Sequence, residues 1–396
     1  MFRNFINTVK REISIISKDR NIFTIIILVP VFYTLMYGSL YWNKTENKLP
    51  VIVVDMDRTE FSKESTKRLN SHQLVDVISV TGDLSEAKLE MDRMDVHGIV
   101  YIPVDAEKSL DSKKSITITS YLNTTRFLVS NDINKAVNEI AAYYSYEKRE
   151  IYLKSAGYSS REAESLTEPV KADVRAMFNR TETYGDFLIP GIIALVLHQT
   201  LLLGLSENIA RERQNNLILE YKSVSGNSSF VALLGKSAFY FLMYFSYSLL
   251  FFTIAFSAFK INMLGSLTLL IVITSLMILS AVFLSILFSS FFKRKYVALV
   301  FMAFSTYPLF LITGYTLPLY TLPVPLQYLS NMFTITPYLN AYVRLTQLGA
   351  GFENIKSEIL SMGLITFVLF VLALLRLKYL FIKAKQTITS TDIEAS

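Results

Sequence analysis

An apolar run at 187–206, broken only by His198 and Gln199, leaves a chain like this few folds to adopt. At 1.5 Å per residue, roughly 20 apolar residues match a hydrocarbon core of about 30 Å. The run passes without Gly or Pro into a charged stretch holding Glu207, Arg211, Glu212 and Arg213. A helix that crosses a membrane and emerges as a charged helix on one side is the expected local structure. Comparable apolar runs cover 21–42, 229–259, 264–292, 296–317 and 359–375, so the chain reads as an α-helical polytopic membrane protein with six transmembrane helices.

Basic residues collect at the ends of these runs. Arg3, Lys10, Arg11, Lys18 and Arg20 precede the first; Lys293, Arg294 and Lys295 follow the fourth; Arg376, Lys378, Lys383 and Lys385 follow the last. Cytoplasmic flanks carry such an excess, which places both termini and the tail 376–396 in the cytoplasm and leaves Tyr41 and Trp42 as an aromatic anchor outside. The net charge of +6 is thereby read as topology, with no nucleic-acid partner. The first run is too long for a signal-peptide core and lacks a small-x-small cleavage site, so it is expected to remain as an anchor. With no cysteine, the chain has neither a disulfide framework nor a thiolate metal site. Residues 1–20 place Phe2, Phe5, Ile6, Val9, Ile13 and Ile16 at helical spacing, with Arg3, Lys10, Arg11 and Lys18 between them. That pattern predicts an amphipathic helix on the inner membrane surface.

Between the first two runs, 43–183 changes character. The β-rich stretches 51–55, 75–80, 98–104 and 115–122 alternate with charged helical segments at 60–69 and 85–94, which predicts an inserted α/β domain outside the membrane. A long helix over 131–154 follows, then a second helix opened by the capping box Ser159 to Glu162 and stopped before Pro169. Asp55 and Asp57, with Ser62 nearby, are oxygen ligands of a kind suited to a hard cation, but they lack the Gly and final Glu of an EF-hand; a polar turn leaving a buried strand is the preferred reading, and no metal site is assigned. Asn43, Asn123, Asn179 and Asn227 each begin an N-x-S/T triplet, which signifies glycosylation only in a secretory eukaryotic setting. Downstream, 318–358 sets Pro318, Pro323, Pro325 and Pro337 ahead of two apolar helices too short to span, expected as re-entrant or interfacial helices at the outer surface.

Three stretches together resemble the membrane subunit of ABC-2 type exporters, in the branch with a large extracytoplasmic domain after the first helix. They are FLIPGIIALVLHQTLLLG with IARERQ; the Pro-rich LITGYTLPLYTLPVPLQYLSNMFTITPYLNAYVRLTQLGAGF; and VIVVDMDRTEFS with VYIPVDAEKSL. The resemblance covers the whole chain and departs from the family after Arg-Glu-Arg, where an acid and then a Gly are common and Asn215 and Asn216 stand instead. It implies a permease subunit of an ATP-binding cassette exporter for an amphiphilic or hydrophobic substrate. It also implies an ABC ATPase subunit as partner, ATP and Mg bound on that partner, and a second permease copy or a related permease. A periplasmic adaptor and membrane lipid are further partners, and a bacterial inner membrane is the expected location.

The residues agree with a separate ATPase. Gly235-Lys236-Ser237 matches the end of a phosphate-binding loop, but Phe230 occupies its first Gly position and no strand-to-helix turn precedes it; helix-entry packing explains the tripeptide. The segment 207–228 is the expected coupling segment, with Glu207, Arg211, Glu212 and Arg213 as contacts and a Glu207–Arg211 pair at i, i+4 stiffening it. An ordinary positive-inside loop is the alternative. His198 and Gln199 mark either the substrate pathway or an interhelical polar contact. No catalytic residue is assigned. Two other classes remain open on residues alone: a proton-coupled secondary transporter, for which repeats and buried acids are lacking, and a membrane-anchored receptor whose outer domain binds a ligand.

Overall fold

The computed structural model describes residues 1–40, 42, 48–168, 177–178 and 183–394, the last ten of these without side chains. Tyr41, Asn43, Pro169, Asn179 and the side chain of Lys385 lie outside the described residues. In chain order the elements are α1 (Phe2–Lys18), α2 (Arg20–Leu40), β1 (Leu49–Asp55), α3 (Glu60–Ser71), β2 (Val75–Thr81), α4 (Leu84–Asp92), β3 (Gly98–Ile102), α5 (Ala106–Asp111), β4 (Thr119–Leu122), α6 (Phe127–Ser155) and α7 (Ser160–Thr167). Then come α8 (Tyr184–Gln214), α9 (Ile218–Val224), α10 (Ser229–Ala258), α11 (Leu267–Ser289), α12 (Lys295–Leu311), α13 (Val324–Asn331), α14 (Ile335–Thr346) and α15 (Lys356–Glu394). Contacts divide the chain into one unit of Met1–Lys44 with Ala176–Ser396 and another of Thr45–Arg175.

Among the described residues, five helices are long and apolar enough to cross a membrane: α2, α8, α10, α11 and α15. Helix α8 is the inner one. Of its apolar window 72% is buried, against 11% for α15. The fifth run of the sequence, expected to span 296–317, forms only the 17-residue α12. Pro308 removes one helical hydrogen bond near its end, Ser330 Oγ donates to the Ile312 carbonyl at 2.7 Å, and Gly314 turns the chain at φ +89. The last helix is longer than the expected 359–375, because the basic residues after Leu375 continue it rather than ending it.

Pro190 has a similar effect inside α8, where it leaves the Asp186 carbonyl without its i+4 donor. Neighbouring side chains converge on this gap: Gln347 reaches the Asp186 carbonyl at 3.5 Å, Tyr315 donates to the Phe187 carbonyl, and Tyr342 donates to the Pro190 carbonyl at 3.0 Å. Helix α14, which supplies Tyr342, is buried along Ile335, Tyr338, Leu339 and Leu345. It is therefore packed in the bundle's core. Gly191 makes the arrangement fit, since a Cβ there would overlap the Tyr315 ring. Gly191→Val is expected to cost about 1–3 kcal/mol through overpacking, seen as a lower thermal midpoint of the purified protein, while Tyr315→Phe costs less.

The Thr45–Arg175 unit is a four-stranded sheet of order β2-β1-β3-β4, with β1 parallel to β2 and β3 and β4 antiparallel to β3. Both faces of β1 are covered, which is why 51–55 reads as an unbroken apolar run. Val51 and Val53 join Phe61, Leu69, Ile133 and Val137 on one side, and Ile52 and Val54 join Ala87, Val96 and Ile99 on the other. Of the expected strand 115–122 only 119–122 pairs, because β3 ends at Ile102. Asp55 accepts the Asp57 and Arg58 amides at 3.0 and 2.8 Å and the Ser62 hydroxyl at 2.8 Å. Asp57 accepts the first amides of α5, those of Ala106 and Glu107, at 2.8 and 3.0 Å. These carboxylates hold a turn and two helix starts. Among the described residues, no group of three or more His, Asp or Glu is placed to hold a metal ion.

Candidate functional site

The last two turns of α8 carry Glu207, Asn208, Arg211, Glu212, Arg213 and Gln214, and each bonds a residue outside α8. At 100° per residue, Asn208 and Glu212 share one side. There the Asn208 amide donates to Glu12 Oε2 at 3.0 Å and to the Tyr240 hydroxyl at 2.6 Å. Glu212 Oε1 takes Arg11 Nη1 and, at 3.1 Å, Lys236 Nζ. Lys236 also bonds Glu12 at 2.8 Å and Asn208 Oδ1 at 3.2 Å. Two carboxylates thus face two cations, and Lys236 and Glu12 are fully buried. Arg11 reaches outward to Glu220 at 3.1 Å, and the Tyr221 ring lies 5.0 Å from both Arg11 and Lys236.

This arrangement reorients α1. Its Thr8, Arg11, Glu12 and Ile16 are buried, while Phe2 and Ile13 are exposed. Of the charges expected between the apolar positions, Arg11 instead enters the bundle together with Glu12, while Arg3, Lys10 and Lys18 are exposed. Contact with α10 is close because Gly235 has no side chain; a Cβ there would stand 2.7 Å from Thr8. Gly235 and Lys236 therefore form the docking point of α1, in mid-helix and without any phosphate cradle. Burial raises the Glu12 carboxyl above its ordinary range, while Lys236 and Arg11 pull it down. Burial would lower the Arg11 guanidinium, but the carboxylates of Glu212 and Glu12 hold it above its ordinary value.

The other residues of the segment tie down other helices. Glu207 pairs with Lys295 at 3.2 Å and Arg211 with Asp19 at 3.2 Å. The expected Glu207–Arg211 pair is not made, because each side chain finds a partner on another element. Arg213 donates to the carbonyls of Ser290 and, at 3.0 Å, Phe292, just past the end of α11, where Arg376 of α15 also donates to the Ser290 carbonyl at 3.1 Å. Two guanidiniums thus satisfy free carbonyls at the negative end of α11. Gln214 accepts the Lys295 amide at 3.0 Å where α12 begins. One oxygen each of Glu207 and Glu212 is buried without a hydrogen bond.

Helix α8 then ends in a Schellman motif: Leu217 N–H bonds the Glu212 carbonyl at 2.8 Å, and Asn216 N–H bonds that of Arg213 at 3.3 Å. Asn216 adopts φ +56, the left-handed conformation a Gly would take, which accounts physically for Asn standing after Arg-Glu-Arg. His198 lies apart, buried at 5% exposure in mid-helix with Nδ1 making no hydrogen bond, and Gln199 beside it is half-buried. The structure does not join them to the ionic cluster. Sequence reasoning named Arg11 only as a flanking charge and Lys236 only within a rejected phosphate loop, and passed over Glu12 and Asn208; the available signal was Lys236, a charge within the apolar run 229–259.

Apolar helices of spanning length, held together at one end by buried ion pairs, define an integral membrane protein. The family described as ABC-2 family transporter protein matches residues 21–375, and the chain belongs to it. It is also 22% identical, over 85% of its length and 87% of theirs, to proteins of Escherichia coli K12 and O157:H7 named as the probable multidrug ABC transporter permease YbhR. Membership makes this a transporter permease and implies an ABC ATPase partner.

Proposed function

We propose that the chain is the permease subunit of an exporter that moves an amphiphilic or hydrophobic compound out of the cytoplasm, driven by ATP and Mg bound on a separate ATPase subunit. The observation that carries this is the family match across 21–375; the relatives named as multidrug permeases support the substrate class. In this reading α12 is the sixth crossing helix, at the short end of the spanning range. The termini and the ionic cluster lie in the cytoplasm of a bacterial inner membrane, and the Thr45–Arg175 unit lies outside. A second permease, identical or related, completes the pathway, to which His198 and Gln199 contribute a polar contact, and an adaptor can join it in the periplasm. The receptor reading is not favoured by a family of transporters.

Coupling is assigned to the elbow formed by residues 215–228, the turn after α8 with α9 and the turn before α10, behind which Glu207, Arg211, Glu212 and Arg213 sit. Those four are engaged within the chain, and Glu207 and Glu212 are buried, so the ATPase meets the exposed Asn215, Asn216, Glu220, Ser223 and Asn227. A push there reaches α1, α10, α11 and α12 through the bonds of 207–214. The test is Asn215→Trp with Ser223→Trp, both on the exposed face. Permease-stimulated ATP hydrolysis is expected to fall roughly tenfold or more, the factor given by ~1.4 kcal/mol of lost contact, at an unchanged thermal midpoint. Full stimulation in this variant would move the docking surface elsewhere.

A further inference from the structure

Among the described residues of the Thr45–Arg175 unit, two cavities of opposite character stand out. One, of about 420 Å³, is lined by Asp57, Asp105, Glu107 and Asp111, and the first of these is already used at the start of α5. The other, of about 900 Å³, lies between the extended segment 114–118 and the C-terminal half of α6. Its volume is in the range of small-molecule sites, roughly 300–1,000 Å³.

The larger groove is amphipathic. Phe61 and Tyr144, buried and packed edge to face at 5.1 Å, line it together with Ile116 and Ile118. Lys113, Lys114, Lys148 and Arg149 also line it, and Asp111 is the sole acid among them. That acid is 3.8 Å from Lys148. Lys113 sits 4.4 Å over the Tyr152 ring, and Lys114 and Arg149 have no acidic partner among the described residues. Meanwhile Ile151 and Tyr152 leave 56% and 45% of their surface exposed at the same groove. Uncovered apolar surface and unpaired cations in one cavity call for an occupant with both characters.

We propose that this groove binds a small amphiphile with an anionic head group, its tail on Ile116, Ile151 and Tyr152 and its head among Lys113, Lys114 and Arg149. The site does not depend on the export reading, since it is built within one unit from that unit's own residues. The segment 114–118 is free to form one wall because it runs past the last β3–β4 pair, Tyr101 with Thr119.

The test uses the full chain in neutral detergent, with decanoate carrying a photoreactive diazirine and the alcohol and amine of the same chain as controls. Cross-links from the decanoate probe are expected within 110–118 and 141–155, at roughly tenfold the yield of either control, because contacts to an ionised group are the stronger ones. Lys113→Gln, Lys114→Gln and Arg149→Gln together should abolish that preference, whereas Lys88→Gln outside the groove should not. Ser145→Trp fills the groove at an exposed position whose hydroxyl bonds only its own helix, and should block all labelling there. Equal labelling by the three head groups, cross-links confined elsewhere, or wild-type labelling of the triple variant would each overturn the proposal.

Discussion

Replacing Lys236 by methionine is expected to destabilise the membrane unit by about 3–5 kcal/mol, the cost of removing one partner from a buried ion pair. Lys236 is fully buried, and its ammonium is shared among Glu12, Glu212 and Asn208. Without it, Arg11 is left facing two carboxylates, and desolvation already raises the pKa of one of them, Glu12. The measurement is the thermal midpoint of purified protein, with hydrogen exchange in α1 as a second readout, since α1 docks through Glu12 and Arg11. Adding Glu12→Gln to Lys236→Met should recover much of the loss, because a polar pair removed as a unit leaves fewer stranded charges. Lys295→Met, whose partner is Glu207 and which is 34% exposed, should cost much less. A Lys236→Met midpoint within a degree of wild type would show that the cluster is not what holds α1 to the bundle.

The same cluster marks where sequence reading stops. Apolar runs announce spanning helices because length and hydropathy are local properties, and α2, α8, α10, α11 and α15 were legible for that reason. The inserted sheet was legible from its β-rich runs, and the capping box at Ser159 from its spacing. What could not be read was which face α1 buries. Its periodicity marks Phe2, Phe5, Ile6, Val9, Ile13 and Ile16 as an apolar stripe, and in a soluble protein that whole stripe would turn inward. In the bundle the stripe divides: Phe2 and Ile13 are exposed, Phe5, Ile6 and Val9 are half-buried and Ile16 is buried, while Arg11 with Glu12 turns toward partners 201 and 224 positions away. Pairing at that distance leaves no trace in local spacing. Likewise, Gly235-Lys236-Ser237 was dismissed as a phosphate loop for sound reasons, yet its function as the seat of α1 depends on Thr8 and Glu12 arriving there. The early end of α12 was foreshadowed by Pro308 and Gly314, but the Ser330 hydroxyl that caps it comes from another helix.

Reversing charge at Arg211 and Glu212 together separates a structural cluster from a mere contact surface. Were these residues exposed contacts for an ATPase, the double variant Arg211→Glu, Glu212→Arg would fold normally and lose only coupling. The structure predicts otherwise. Glu212 is 2% exposed, so arginine there would place a third cation beside Arg11 and Lys236, with Glu12 as the one buried carboxylate left and Glu220 the one exposed, while Arg211→Glu would set an acid against Asp19. The expected result is loss of folded protein, a penalty exceeding the roughly 3–5 kcal/mol of a single broken pair, seen as low membrane yield and aggregation on size exclusion. Rescue tests the cause. Lys236→Glu added to Glu212→Arg restores two cations against two carboxylates in the same cavity, and Asp19→Arg added to Arg211→Glu restores the second pair. Recovery of monodisperse protein by these complementary changes, and not by the mismatched combinations, would establish that charge balance across α1, α8 and α10 holds the bundle's end together. A double variant that folds as well as wild type would instead require the buried carboxylates to find other partners. Loss of coupling in such a normally folded variant would make Arg211 and Glu212 contacts for the ATPase.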